Sequence, residues 1–307
     1  MGIVVFGATF VDIKGYPDAQ YIPAGRNVGR VIQVHGGVSR NVVEDIANVE
    51  LKPTYVTVLD NSGTSTDVLD KLNRHNVNTD YVVKTDDGLG TWLAIFDNNG
   101  DVVASISKRP NLEALEGVLD EHGDEIFANC DSVVVEIDME VPVLKKIFAL
   151  AEKYNKAVYA VVSNMSIAME RRDLIKRTAC LVCNDQEAGL LFSEEYESIS
   201  MEQMSDLLLE KIKQAAIPQM VVTMGENGAV YADCEGHKGV IPPQKVDVID
   251  TTGAGDSFFA GVAIGLTYGK TLEESCIIGT RLASSVISTK ENVCPRFMPQ
   301  EFNLELK

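Results

Sequence analysis

The sequence is short of positive charge. Its 307 residues include 27 lysines and arginines against 45 aspartates and glutamates, which gives a formal net charge of −18. Nucleic acids and anionic membranes are bound largely through clustered lysine and arginine. The charge balance therefore argues against a nucleic-acid or membrane-surface protein. Small-molecule ligands stay open, because a local positive site can exist in an acidic protein.

Long apolar runs and a metal-type cysteine pattern are also missing. No window of about 18 uncharged apolar residues could span a membrane, and the N-terminal MGIVVFGATF lacks the basic region of a secretory signal. The six cysteines are scattered, and Cys180 and Cys183 have no second pair nearby. We therefore expect these two on a buried strand instead of a zinc site, in a cytoplasmic protein with reduced thiols.

Short β-rich runs alternate with helical patterns along most of the chain. Several runs are apolar throughout, which is typical of a parallel sheet covered on both faces. The alternation predicts an α/β fold with a doubly wound, mostly parallel sheet flanked by helices. With no repeat or linker, residues 1–307 are expected to form a single domain. The predicted strands are Ile3–Phe6, Tyr55–Leu59, Ser132–Ile137, Ala157–Val162, Leu181–Cys183 and Met220–Met224, and Val141–Tyr154 is a predicted helix.

Two segments, about 12–35 and 88–108, interrupt this alternation. The second reads as a hairpin, in which TWLAIFD and VVASIS flank Asn98-Asn99-Gly100, and Asn-Gly favours a two-residue turn. The segments are either surface excursions or a small β-sheet lid that excludes water from a site. Exposed lid strands would also favour a homodimer through the lid, because open sheet edges invite pairing.

The stretch DTTGAGD, residues 250–256, precedes an apolar helical pattern. Gly253 and Gly255 free the backbone, so that amides including that of Ala254 can approach an anion at the start of the helix. Asp256 stands in the first turn. It is either a general base beside this anion hole or a residue that caps the helix.

Together with the residues that follow, DTTGAGDSFFAG resembles the ribokinase-like (PfkB) carbohydrate kinases, and an ordered set of motifs extends the resemblance to essentially the whole chain. It implies an ATP-dependent kinase that acts on a hydroxyl of a sugar or nucleoside beneath a small β-sheet lid. Asp256 would then deprotonate the acceptor, while the amides of Gly253, Ala254 and Gly255 stabilise the transferred phosphoryl group.

The resemblance also implies the acceptor site. GATFVD, residues 7–12, matches the first strand of the family, which ends in an aspartate that holds substrate hydroxyls. HGGVSRN, residues 35–41, matches the di-glycine segment. An aspartate can accept two hydroxyl donors, as a ribose diol presents them, although a strand-end aspartate taken alone is more often structural. The implied acceptor-binding residues are Asp12, Gly36, Gly37, Asn41, Glu136 and Asp256.

On the nucleotide side, NDQE (184–187) and TMGENG (223–228) match family motifs. Asn184 and Glu187 lie three residues apart and would hold hydrated Mg²⁺ on one helix face, or they are an N-cap and an exposed glutamate. A monovalent cation, K⁺, is implied beside Asp250 and Thr252. The implied ATP-binding residues are Asn184, Thr223, Gly225, Gly228, Thr252, Gly253 and Gly255.

Within the family, GGVSRNVVEDIA, GYP and DNNG look most like pseudouridine kinases, which implies the 5′-hydroxyl of pseudouridine as acceptor. Phe10 departs from this pattern, as does the segment 162–166. Lys108 and Arg109 suit a phosphorylated or carboxylated sugar, or they are a solvated pair. A ribokinase, fructokinase or ketodeoxygluconate kinase is the alternative. A catalytically inactive sugar-binding regulator is a further one, against which the retained Asp256 argues.

Overall fold

The computed structural model describes residues 2–196 and 199–304. Short 3-10 helices cover Met169–Arg171, Gly225–Asn227 and Pro299–Phe302. The strands are β1 Ile3–Phe6, β2 Phe10–Pro17, β3 Gly29–Gly36, β4 Thr54–Val56, β5 Val58–Leu59, β6 Val83–Lys84, β7 Gly90–Phe96, β8 Val102–Lys108, β9 Ser132–Glu136, β10 Val158–Val161, β11 Cys180–Asn184, β12 Gln219–Thr223, β13 Ala229–Asp233 and β14 Lys238–Ile241. The helices are α1 Val38–Asn48, α2 Gly63–Arg74, α3 Leu115–Ala128, α4 Val141–Lys153, α5 Met165–Ala168, α6 Arg172–Ile175, α7 Asp185–Phe192, α8 Met201–Ala215, α9 Ala254–Thr267 and α10 Leu272–Ile287.

The main sheet has the strand order β14-β13-β12-β11-β10-β9-β1-β4. The strands from β12 to β4 are parallel, and β13 and β14 add an antiparallel edge. This confirms the predicted mostly parallel α/β fold. Residues alternate between the faces of each strand. Val4 and Phe6 accordingly pack with α3, α4 and α8 on one face, whereas Ile3 and Val5 pack with α1, α9 and α10 on the other.

Each predicted strand is present, but the run Tyr55–Leu59 divides between two sheets. Its first part, β4, joins the main sheet, whereas β5 pairs with β6. Thr57 lies at the break, fully buried, with its hydroxyl 3.2 Å from that of Thr9. A buried polar link therefore interrupts what reads as one apolar strand.

Cys180 and Cys183 both lie buried on β11, as predicted. Burial raises the pKa of the Cys180 thiol to about 12, so this thiol stays protonated and unreactive at neutral pH. Within the described ranges, the helices are all too short or too polar to traverse a bilayer.

The interrupting segments form a separate four-stranded sheet, β3-β2-β7-β8, which confirms the predicted lid. The expected two-residue turn is wrong. The chain makes a longer connection from Asp97 to Asp101, in which the Asp97 carboxylate accepts the amides of Asn99 and Asp101, each at 2.9 Å. Of the turn residues, Gly100 alone has a positive φ, of 91°, whereas the predicted turn type needs two.

Candidate active site

The predicted site residues gather at the carboxyl edge of the main sheet. β1 leads into the lid strand that carries Asp12, β11 ends at Asn184 and β12 ends at Thr223. Ligands of open α/β sheets bind at this edge, because the loops there converge on one crevice.

Helix α9 begins at Ala254, directly after Gly253, whose φ is 83°. A side chain at Gly253 would also collide with the carbonyl of Asn292, so both conformation and space require glycine here. The Ala254 amide donates to the Thr251 carbonyl at 3.2 Å. In the described chain, the Gly255 amide has no such acceptor and stays available at the positive end of the helix dipole.

Asp256 occupies the third position of α9 and makes no capping hydrogen bond, so the structure does not support the capping interpretation. Its Oδ2 accepts a hydrogen bond of 2.6 Å from Asn41 Nδ2. Burial raises the pKa of Asp256 to about 6. The Asn41 hydrogen bond and the charge of Arg40 lower that pKa, and nearby carboxylates raise it further. A carboxylate with a pKa near neutrality suits proton abstraction.

Arg40 orients the side chain of Asn41. It is fully buried, and it donates to Glu44 Oε2 and to the carbonyl of His35, each at 2.5 Å. It also donates to Asn41 Oδ1. Since that oxygen is engaged, the amide of Asn41 must turn its NH₂ group toward Asp256. Sequence reasoning missed this role; the Arg40–Glu44 spacing of four residues was the available signal.

Asp12 lies directly over Gly36. A side chain at Gly36 would place Cβ 2.6 Å from Asp12 Cγ, and Gly37 adopts a φ of 97° against the chain that follows β1. Burial raises the pKa of Asp12, and the charges of Lys14 and Arg40 lower it. Asp12 in turn raises the pKa of Asp256. The structure thus brings the di-glycine segment and the two predicted carboxylates into one site.

Glu136 lies buried beneath the start of α1. It is 1% exposed, and its Oε1 accepts the backbone amide of Ser39 at 3.0 Å. Burial, with the charge of Asp138 adding to it, raises the pKa of Glu136 to about 7. Its position beneath the start of α1 fits a structural support better than the direct acceptor contact that the family resemblance implied.

A cleft of about 560 Å³ opens beside the start of α9. The predicted ATP-binding residues Thr223, Gly225, Gly228 and Gly255 line it, whereas Asn184, Thr252 and Gly253 do not. Sequence reasoning missed its apolar wall. The signal that could have identified this wall is the alternation of Val246 and Val248 with polar residues just before Asp250. The wall includes Val246, Val248, Phe258, Ala283 and Ile287.

Asn184 and Glu187 form a reciprocal capping box at the start of α7, with both hydrogen bonds at 2.8 Å. One oxygen of each side chain is therefore engaged. Burial raises the pKa of Glu187, and Asp138 and Asp185 raise it further. These are hard oxygen donors in a negative field, which fit a hydrated Mg²⁺ better than a fully protein-ligated one. Asp250 Oδ1 likewise accepts the Thr252 amide at 2.8 Å.

The lid presents an aromatic face. Tyr16 stacks on Phe96 with ring centroids 4.7 Å apart, and Trp92 meets Phe96 edge-on at 6.4 Å. The Arg30 guanidinium lies 4.9 Å from the Tyr16 ring centroid. Burial raises the pKa of Tyr16, and Asp250 raises it further, so this face lies toward the DTTGAGD loop.

Lys108 and Arg109 already have partners. Lys108 pairs with Asp87 at the surface, and Arg109 pairs with the buried Asp138 at 2.7 Å. Neither the charged-substrate interpretation nor the solvated-pair interpretation describes Arg109, which instead anchors the end of the lid to the main domain.

Comparison with known proteins gives the class. The chain belongs to the pfkB family of carbohydrate kinases, whose family model matches residues 2–294, and it is a phosphotransferase with an alcohol acceptor. It is 35% identical to guanosine-inosine kinase of Exiguobacterium acetylicum over 295 residues, which cover 94% of this chain and 95% of that one. Pseudouridine kinase of Escherichia coli K12 is 24% identical over 290 residues, covering 93% and 90%.

Solved structures show the same fold. Arabidopsis thaliana ribokinase, complexed with ribose and ATP, superimposes with a TM-score of 0.84 at 20% identity and covers 98% of both chains. Phosphofructokinase-2 of Escherichia coli gives a TM-score of 0.80 at 18% identity, again over 98% of both chains. The predicted ribokinase-like fold is therefore confirmed.

Proposed function

We propose that the protein is a nucleoside kinase that transfers the γ-phosphate of ATP to the 5′-hydroxyl of inosine or guanosine. The observation that carries this proposal is the lid face, which sets aromatic rings beside the hydroxyl-binding Asp12. A nucleobase offers these rings an aromatic face to stack on, which a free sugar lacks. The identity of 35% to a guanosine-inosine kinase supports the same acceptor.

In the proposed reaction, Asp12 accepts hydrogen bonds from the ribose hydroxyls and fixes the sugar over Gly36. The 5′-oxygen attacks the γ-phosphorus while its proton passes to Asp256, and the bond to the bridging oxygen of ADP breaks. The Gly255 amide and the adjoining backbone at Gly253 stabilise the charge on the transferring group. Asn41 holds the Asp256 carboxylate in position through its 2.6 Å hydrogen bond.

The cleft beside α9 is the proposed nucleotide site. Thr223, Gly225 and Gly228 line the same cleft as Gly255, so a nucleotide there would place its phosphates at the start of the helix. Mg²⁺, when bound, neutralises phosphate charge, and Glu187 with Asn184 would hold it through water. We likewise propose that Asp250 and Thr252 would hold K⁺ beside this site.

Pseudouridine is the second candidate acceptor. The identity of 24% to pseudouridine kinase over most of the chain favours it over free sugars. Pseudouridine also carries a ring that the lid aromatics could stack on. The ribokinase, fructokinase and ketodeoxygluconate kinase alternatives fit this lid less well, and an inactive regulator leaves the raised pKa of Asp256 without a use.

A panel of acceptors tests the proposal. ADP release is measured with inosine, guanosine, adenosine, pseudouridine, ribose, fructose and ketodeoxygluconate, and mass spectrometry identifies each product. We expect inosine and guanosine 5′-monophosphates, with ADP release at least about a hundredfold slower in Asp256→Asn, which serves as the control. Turnover on pseudouridine alone would select the second candidate, turnover on free sugars alone would reject a nucleoside kinase, and acceptor binding without turnover would indicate the regulator.

We also infer that residues 1–307 work as one domain in the cytoplasm and that two copies pair through their lids. The lid face opposite the aromatic rings exposes Val31, Leu93 and Ile106, of which Val31 and Ile106 are 72% and 69% exposed. An apolar row of this kind on an open sheet favours pairing with a second copy.

A further inference from the structure

Lys14 is a buried lysine that the reaction described above does not use. It lies on β2 between Asp12 and Tyr16 and is 7% exposed. Across residues 2–196 and 199–304, its ammonium group donates no hydrogen bond and forms no ion pair. The carbon stem of Lys14 is buried within the lid, whereas its ammonium group keeps contact with solvent and is free to donate to a ligand. An unpartnered ammonium at this place therefore points to a ligand.

The strand register shows where Lys14 faces. Residues two apart on a strand share a face, so Lys14 projects on the same side as Asp12 and Tyr16. Asp12 lies over Gly36 in the acceptor site, and Tyr16 stacks on Phe96. Lys14 therefore stands between the hydroxyl-binding end and the aromatic end of the same face.

Two aromatic side chains of β7 flank the position of Lys14 in the lid sheet. Its cross-strand partner on β7 is Ala94, which is fully buried. Trp92 and Phe96 flank Ala94 along the strand, and their rings approach edge-to-face at 6.4 Å. An ammonium donor beside aromatic rings suits a planar heterocycle with acceptor atoms on one edge.

We propose that Lys14 selects 6-oxopurine nucleosides by donating hydrogen bonds to O6 and N7 of the base. This proposal rests on the nucleoside kinase function proposed above. Lysine and arginine recognise the same edge of guanine in nucleic acids, because O6 and N7 are adjacent acceptors. Adenine presents an amino donor in place of O6, so Lys14 would meet a donor there and disfavour adenosine.

An anionic sugar fits the same lysine less well. A sugar phosphate would bring two negative charges close to the Asp12 carboxylate, and the lid cations at positions 108 and 109 are already paired with Asp87 and Asp138. A single ammonium beside a carboxylate favours a neutral acceptor edge over a dianion.

Lys14→Met tests the proposal, because methionine keeps most of the stem and removes the donor. We expect kcat/KM for inosine and guanosine to fall roughly tenfold to a hundredfold. The kcat/KM for adenosine and for purine riboside, which lacks O6, should stay within about threefold of wild type. Lys108→Met, on the opposite face of the lid, is the matched control and should leave the preference for inosine over adenosine unchanged.

The outcomes separate the two proposals. If the wild-type enzyme phosphorylates no nucleoside, the proposed function fails first. If it phosphorylates nucleosides but Lys14→Met lowers kcat/KM for every acceptor equally, Lys14 has a structural role and the selection proposal is overturned. An unchanged inosine-to-adenosine ratio in Lys14→Met would overturn it as well. Lys14→Gln, with its melting temperature measured, guards against loss of folding in a single variant.

Discussion

Asp256 depends on its neighbours for its chemistry. Burial and the nearby carboxylates favour its protonated form, whereas Asn41 and Arg40 favour the carboxylate. The balance leaves the pKa at about 6, so the group is mostly ionised at neutral pH and still able to take a proton. One side chain is thus tuned by residues from β2, α1 and α7.

Asp256→Asn should lower kcat by at least about a hundredfold, since asparagine accepts no proton. ATP affinity should change little, because the backbone amides stay in place. In the wild-type enzyme, kcat/KM should fall as pH drops below about 6. Steady-state kinetics from pH 5 to 8 measure both effects. A variant that keeps its activity would mean that Asp256 is not the base.

Arg40 should act on the rate through Asp256 without touching the acceptor. Because the charge of Arg40 lowers the pKa of Asp256, Arg40→Met should move the acidic limb of the pH–rate profile to higher pH. Arg40→Lys retains the charge and should restore the limb in part. A purely structural role would lower the rate equally at all pH values, which the same profile reveals.

Sequence reasoning reached some of these residues and missed others for a physical reason. Asp12, Asn41 and Asp256 belong to ordered motifs on β2, α1 and α9, and these elements meet at the carboxyl edge of the parallel sheet. Arg40 and Lys14 are charged residues in segments that read as half-exposed. Whether such a side chain turns inward and finds a partner depends on tertiary contacts that the local pattern does not contain.

The start of α9 shows how an element constrains its glycines. Gly253 needs a positive φ and has no room for a side chain, whereas a Cβ on Gly255 would meet no atom within 4 Å. The two glycines look alike in the sequence, and the structure separates them.

Gly253→Ala should therefore destabilise the protein by more than about 1 kcal/mol, because it combines backbone strain with a collision. Gly255→Ala is the matched control and should keep the wild-type melting temperature, since alanine suits a helix. Thermal unfolding of the two variants under identical conditions measures the difference. Equal melting temperatures would show that the loop relaxes around a side chain at position 253.

The strands of the lid hairpin could be predicted from the sequence, whereas the turn between them could not. The alternating pattern of Gly90–Phe96 and Val102–Lys108 was sufficient to predict the two strands. The turn between them was not predictable from Asn-Gly, because the Asp97 carboxylate binds two amides and stabilises a longer connection. Hydrogen bonds from backbone amides to a side chain thus outweigh the preference of Asn-Gly for a two-residue turn here.

Across the whole molecule, several carboxyl groups are buried with raised pKa values. Burial raises the pKa of Asp45 and of Glu136 to about 7, and that of Asp256 to about 6. The unfolded chain releases these protons near pH 4. Between about pH 4 and 7 the folded protein thus holds protons that the unfolded chain has lost.

This difference should make the protein less stable as pH rises. The stabilising contribution is complete below the unfolded pKa and is lost as pH passes the folded values near 6 and 7. Repulsion within a chain of net charge −18 acts in the same direction. The melting temperature should fall from pH 5.5 to pH 8, with a shallower slope for Asp256→Asn. A rise over this range would contradict the pKa values.

Strand β2 has a consequence for substrate length. Consecutive side chains on one face of a strand stand about 6.8 Å apart. Asp12, Lys14 and Tyr16 are therefore spaced so that the number of them that an acceptor contacts depends on its length. A short acceptor contacts Asp12 alone, whereas an acceptor about 7 Å longer also contacts the ammonium group of Lys14. Inserting one residue between positions 12 and 14 would turn Lys14 to the outer face. The variant would then still transfer phosphate, but it would no longer distinguish acceptors by whether they reach Lys14.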